Sequence, residues 1–206
     1  MSDSAVRQAY DRQAQDYDRR WSRYLRQTLT FLRSWAEILE SAAVLDVGCG
    51  TGEFEWLLLH EQPNQRIVGV DLSEEMLRVA RAKCGSFPNV SFIGASASHL
   101  PFPAQHFDTI VSASALHYFA EPNRCLSEMH RVLRRGGSLT ILDWCKDYLL
   151  CRVYDAAFKL AQPAYKSSYT EREFCRMLAS AGFQVKVSKK TSLTLVGGIM
   201  IATAIA

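Results

Sequence analysis

The 206 residues are 48% apolar and 22% charged, the composition of one globular domain and neither a disordered nor a membrane-spanning chain. A formal net charge of +3 gives no reason to expect a polyanionic partner. Six cysteines stand without a Cys-x-x-Cys pair, so they are expected as reduced thiols in the core rather than disulfides or metal ligands.

Residues 6–39 read as helical, with aromatics at Tyr10, Tyr17, Trp21, Tyr24, Phe31 and Trp35. Seven arginines in this stretch (Arg7, Arg12, Arg19, Arg20, Arg23, Arg26, Arg33) are interleaved with Asp11, Asp16 and Asp18. That mixture reads as a solvated helix face, and no nucleic acid is expected as a partner. The N-terminal residues lack an apolar signal segment, which makes a cytoplasmic location the expectation.

Strand and helix patterns then alternate at short intervals, the signature of a parallel sheet covered on both faces. Strands are expected at 43–47, 67–70, 90–93, 109–112 and 138–142, and helices at 53–60, after Ser73 as N-cap, and at 125–133, stopping at Gly136-Gly137. Residues 144–169 form an insertion rich in aromatics. Thr170 with Glu173 makes a capping box for a helix that Gly182 closes. Two strands, 183–187 and 195–203, are expected to follow, joined by a short polar connection. The apolar tail reads as a buried strand, too short to cross a bilayer.

The densest signal is Val44-Leu45-Asp46-Val47-Gly48-Cys49-Gly50-Thr51-Gly52. An apolar run breaks into a loop with glycine at alternate positions, where a ligand can lie against bare main chain. Asp71 ends the next apolar run and is placed to hold ribose hydroxyls. The loop has no lysine and lacks the Gly-x-x-x-x-Gly-Lys spacing, so it suits a nucleoside without a polyphosphate.

With these residues, His99-Leu100-Pro101-Phe102-Pro103 before His106-Phe107-Asp108, and residues 128–139 around Arg134-Arg135-Gly136-Gly137, the chain resembles the class I S-adenosylmethionine-dependent methyltransferases. Its likeness is to their branch acting on quinones and other small molecules. The resemblance implies an α/β, Rossmann-like, doubly wound sheet of seven strands, mainly parallel with one antiparallel strand, helices on both faces and an N-terminal helical cap. One domain is expected: a cap (1–40), a cofactor-binding core (41–143), a substrate-side insertion (144–169), and a last helix with a C-terminal hairpin (170–206).

S-Adenosyl-L-methionine is the implied cofactor. Gly48, Gly50, Thr51 and Gly52 would pass its methionine and ribose portions, and Asp46 would face the ammonium. Asp71 would take the ribose hydroxyls, with Leu72, Ser96, Ala97 and Ala113 around the adenosine. The family usually has an acid where this chain has Ser96, so adenine recognition is expected to be weakened. His117 stands where the family has a Leu-His pair; it is either a base for the acceptor's proton or a histidine packing that turn. Tyr10 and Tyr17 would fold over the cofactor, and Trp144, Tyr148, Tyr165 and Tyr169 would line the acceptor side. The implied reaction is methyl transfer to oxygen or carbon of a small aromatic or apolar acceptor, with no metal and no stable membrane insertion. Two other readings stand: a non-catalytic cofactor-binding module, and a nicotinamide-dependent oxidoreductase.

Overall fold

A computed structural model describes residues 3–162, 164–194 and 197–206. Helix α1 (Asp3–Asp11) leads through a 3-10 turn (Ala14–Asp16) into α2 (Tyr17–Trp35). There follow β1 (Ala43–Val47), α3 (Glu53–Glu61), β2 (Arg66–Asp71), α4 (Glu74–Cys84), β3 (Val90–Gly94) and β4 (Phe107–Ala113). A second 3-10 turn (Leu116–Tyr118) precedes α5 (Pro122–Val132), β5 (Leu133–Trp144), α6 (Leu149–Ala161), α7 (Glu171–Ser180), β6 (Gln184–Thr194) and β7 (Gly197–Ile205). The seven strands form one sheet in the order β3-β2-β1-β4-β5-β7-β6, and β7 runs antiparallel to both its neighbours. This is the expected doubly wound architecture.

β1 shows why the sheet is buried on both faces. Leu45 and Val47 pack with Leu126 and Met129 of α5 and Phe174 and Leu178 of α7. Val44 packs the other way, with Leu29 and Leu32 of α2 and Phe54 and Leu58 of α3. Burying one such side chain contributes about 1.5–3 kcal/mol, so the apolar face of α2 anchors the cap to the sheet. α2 ends at Trp35, short of the expected 39, and the helical run breaks between Asp11 and Tyr17.

The two expected N-caps form. Ser73 Oγ accepts the Met76 N–H at 3.1 Å, and Thr170 and Glu173 exchange both bonds of a capping box. The C-terminal hairpin departs from expectation. Residues 188–194, polar except for Leu193, extend β6, which pairs with β7 along almost its whole length. β6 lies at the sheet edge, where lysines and serines on an open side are what a strand carries. Leu195, expected to open the last strand, lies outside the described residues. β5 also begins earlier than expected, at Leu133, with Gly136 and Gly137 inside it.

Among the described residues no helix is long and apolar enough to cross a membrane. All six cysteines are free; five are buried and Cys175 is half-buried.

Candidate active site

The strand order reverses between β1 and β4, and the crevice beyond their carboxyl ends is where open α/β sheets take ligands. Gly48 there has φ +82°, and a Cβ on it would stand 2.5 Å from Ala115 Cβ. Gly50, at φ +55°, has open space where a Cβ would be. Its N–H donates to Asp71 Oδ2 at 2.9 Å, and the Ser73 N–H donates to Oδ1 at 2.9 Å. Asp71 therefore braces the loop and the start of α4 at once. Burial pushes its pKa up, and the N–H bonds to it pull the other way.

Val47, Gly48, Gly50, Asp71, Leu72, Ser96, Ala97 and Ala113 line one cavity. Its open volume is about 100 Å³, with Asp3, Val6 and Tyr10 of α1 reaching into it. Ser96 Oγ donates to Asp3 Oδ2 at 2.6 Å, so a carboxylate does stand beside Ser96, supplied by α1. No local pattern links two residues 93 positions apart, and sequence reasoning missed Asp3.

Thr51, Gly52 and Asp46 are not in this wall. Thr51 Oγ1 turns away and donates to Asp18 Oδ1 of α2 at 2.5 Å. Gly52 lies at the start of α3 against Ala80 and Phe92. Asp46 is buried, its Oδ1 without a partner, beside the fully buried Glu55, whose two oxygens also have none. Burial first, then the charge of Asp71, raises the Asp46 pKa to about 8; burial and Asp46 raise that of Glu55.

A second cavity of about 390 Å³ lies beside the first. Tyr10, Tyr17, Ser114 and Tyr118 belong to both walls, so the two spaces meet there. The rest of its lining includes Trp21, Tyr24, His117, Trp144, Phe158 and Tyr165. His117 Nδ1 lies 2.5 Å from Asp143 Oδ1, and both side chains are buried. A carboxylate can only accept, so this contact puts the proton on Nδ1 and leaves Nε2 as the ring's free acceptor. The Asp143 carboxylate also accepts the backbone N–H groups of His117 at 3.1 Å and Trp144 at 2.6 Å.

Asp143 was not singled out from sequence. The available signal was register: Ala113 pairs with Leu142, so the chain just past β4 meets the end of β5. Tyr24 was also missed. Its hydroxyl takes the Trp144 indole N–H at 2.8 Å and shares a 2.7 Å bond with Ser114 Oγ. Ser114 holds φ +54°, a strained conformation for a residue with a Cβ, at the junction of the two cavities.

Two expected acceptor-side residues are elsewhere. Tyr148 precedes α6 and turns back onto β7, where a side chain on Gly198 would run into its ring. Tyr169 bridges Cys145 and packs half-buried on the core. Neither lines either of these two cavities. Trp144 and Tyr165 do line the second.

Residues 44–137 match a family model described as a methyltransferase domain. The ubiquinone/menaquinone biosynthesis C-methyltransferase UbiE of Campylobacter jejuni subsp. jejuni is 30% identical over 168 residues, covering 69% of this chain and 70% of that protein. The chain belongs to the class I S-adenosylmethionine-dependent methyltransferases. A demethylmenaquinone methyltransferase of Bacteroides fragilis is 35% identical over 113 residues, 53% of this chain. Only 46% of that relative is covered, so the chain spans about half the length of such curated relatives. Among solved structures, a chain of the complex between the Haloferax volcanii Trm112 methyltransferase activator and a methyltransferase superposes with TM-score 0.87 at 20% identity. It covers 98% of this chain and 97% of its own. A SAM-dependent methyltransferase from Thermotoga maritima superposes with TM-score 0.76 at 22% identity, covering 95% and 97%. At these identities the superpositions establish the fold.

The first cavity suits the cofactor of this methyltransferase family by its residue types. Gly50 presents backbone with no side chain before it, Asp71 lines the cavity with a carboxylate that has lone pairs beyond those given to N–H groups, and Leu72 and Ala97 offer apolar contact. A nicotinamide-dependent oxidoreductase is set aside by family membership.

Proposed function

We propose that this methyltransferase moves a methyl group from S-adenosyl-L-methionine to an oxygen or carbon of a small aromatic acceptor in the second cavity. When bound, the cofactor supplies a methyl carbon on a sulfonium, whose C–S bond electrons return to sulfur on transfer. Gly48, Gly50 and Asp71 would hold it, with Leu72, Ser96, Ala97 and Ala113 about the adenosine. Tyr10, Tyr17 and Tyr118 stand at the junction through which the methyl would pass. Alignment there is the main resource, since well-oriented groups reach effective molarities of about 10⁵ M or more.

The acceptor must lose its proton as it bonds to carbon, and His117 Nε2 is the free acceptor in that wall. Asp143 would hold the ring's tautomer and balance the imidazolium that forms. The observation carrying this reading is the His117–Asp143 pair in an aromatic cavity adjoining the glycine loop. The quinone-directed names of the relatives support a flat, ring-containing acceptor.

Cofactor binding and transfer are tested together. Calorimetry should show S-adenosylmethionine binding to the wild type, weakened about 10-fold or more by Asp71→Asn, which removes a charged hydrogen-bond acceptor. Mass spectrometry should then find one methyl added to a phenolic acceptor. Binding without transfer to any acceptor of a phenol and quinol panel would support a non-catalytic cofactor-binding module instead.

A further inference from the structure

The second cavity has a charge balance that its segment's composition does not predict. Among the described residues its wall contains Arg12 and Arg20 and no aspartate or glutamate. In sequence the arginines of this stretch alternate with Asp11, Asp16 and Asp18 and read as a self-neutralised face. The fold separates them. Asp11 Oδ1 accepts the Ser73 hydroxyl at 2.6 Å, on the cofactor side. Asp18 accepts from Thr51 at 2.5 Å and from Lys83 Nζ at 2.7 Å, also on that side. Asp16 is taken by Arg19 at 2.6 Å.

Arg12 and Arg20 are left facing the cavity mouth. Among the described residues neither has an ion pair, and what sets them apart from other unpaired arginines is their place in the cavity wall. Arg12 spends only its Nε, donating to the Gln8 carbonyl at 3.1 Å, which leaves its two terminal nitrogens for a ligand. The Arg20 guanidinium lies 6.0 Å from the Trp21 ring centroid, against an aromatic wall. Two guanidinium groups in the wall of an aromatic cavity match a carboxylate on a flat ring, because the planar fork takes both carboxylate oxygens.

We propose that the acceptor is a hydroxyarene carboxylate, its ring between the aromatic walls and its carboxylate held at the mouth by Arg12 and Arg20. This rests on the methyltransferase reading of the site. The chain thereby parts from a neutral prenylated ring, which offers neither guanidinium an acceptor.

The test is binding, so that it stands apart from turnover. With S-adenosylhomocysteine present, calorimetry compares 1-hydroxy-2-naphthoate with 1-naphthol on the full chain. The carboxylate should bind about 10- to 100-fold more tightly, the range of charge-assisted hydrogen bonds. Arg12→Gln with Arg20→Gln should reduce that preference to within about threefold, and the two Lys variants should restore part of it. Should the double variant not fold, the single variants and the salt dependence of the wild-type preference give the same reading, since an exposed ion contact is screened. Equal binding of the two compounds, no binding of either, or a preference that survives the substitutions overturns the proposal. Tight, arginine-dependent binding with no methyl transferred would instead sink the catalytic reading and leave the anion site standing.

Discussion

Asp143 bonds to His117 through the ring and through the backbone N–H, which fixes both the orientation and the tautomer of the imidazole. If His117 takes the acceptor's proton, His117→Ala should lower kcat by about 10²- to 10⁴-fold, the range of general-base contributions. Asp143→Asn should also lower kcat, because an amide can present its NH₂ to Nδ1 and turn the ring's proton to the wrong nitrogen. The measurement that separates a base from a packing histidine is the pH–rate profile: the rising limb should vanish in His117→Ala and shift in Asp143→Asn. Unchanged profiles in both variants would make His117 a structural residue. Much of this level was open to sequence reasoning. Gly48, Gly50, Asp71 and His117 are local features of strand ends and their loops, where residue type follows from backbone demand. Asp143, Tyr24 and Asp3 enter through contacts between elements far apart in the chain, which no local pattern encodes.

Elements were legible where their burial was two-sided. β1, β2, β4 and α4 fall within a residue or two of expectation, because apolar runs and caps mark their limits. The edge strand β6 was cut short, since its solvent side is polar and reads as a loop. The junction of β1 and α3 holds what no pattern reported, a pair of buried carboxyls without partners, Asp46 and Glu55. The folded pKa of Asp46, about 8 against an ordinary 3.8, is raised. Its stabilising contribution is therefore complete below about pH 4 and lost as pH rises through about 8. The melting temperature should fall from roughly pH 4 to pH 8 and level off above, and Asp46→Asn, with no proton to lose, should flatten that fall. Glu55, raised in the same direction, leaves a residual slope. A wild-type melting curve that is level across this range would mean both carboxyls reach water or a cation in solution.

At the scale of the whole molecule, the helical cap touches everything that matters. α1 and α2 carry Tyr10 and Tyr17 between the cavities, Asp3 into the first, and Arg12 and Arg20 at the mouth of the second. Asp18 fastens the cap to Thr51, and with Glu53 to Lys83, so the glycine loop and α4 share its anchors. The same tyrosines cannot be ceiling to one guest and floor to another without each guest feeling the other's arrival. A nucleoside bound beneath α1 would press on the helix that carries Tyr10, and through it on the wall of the neighbouring chamber. Steady-state kinetics should accordingly show a compulsory sequence, donor before acceptor and methylated product leaving before the spent donor, with product-inhibition patterns to match. Random addition would mean that α1 yields without disturbing Tyr10 and Tyr17, and that the shared wall is a partition rather than a hinge.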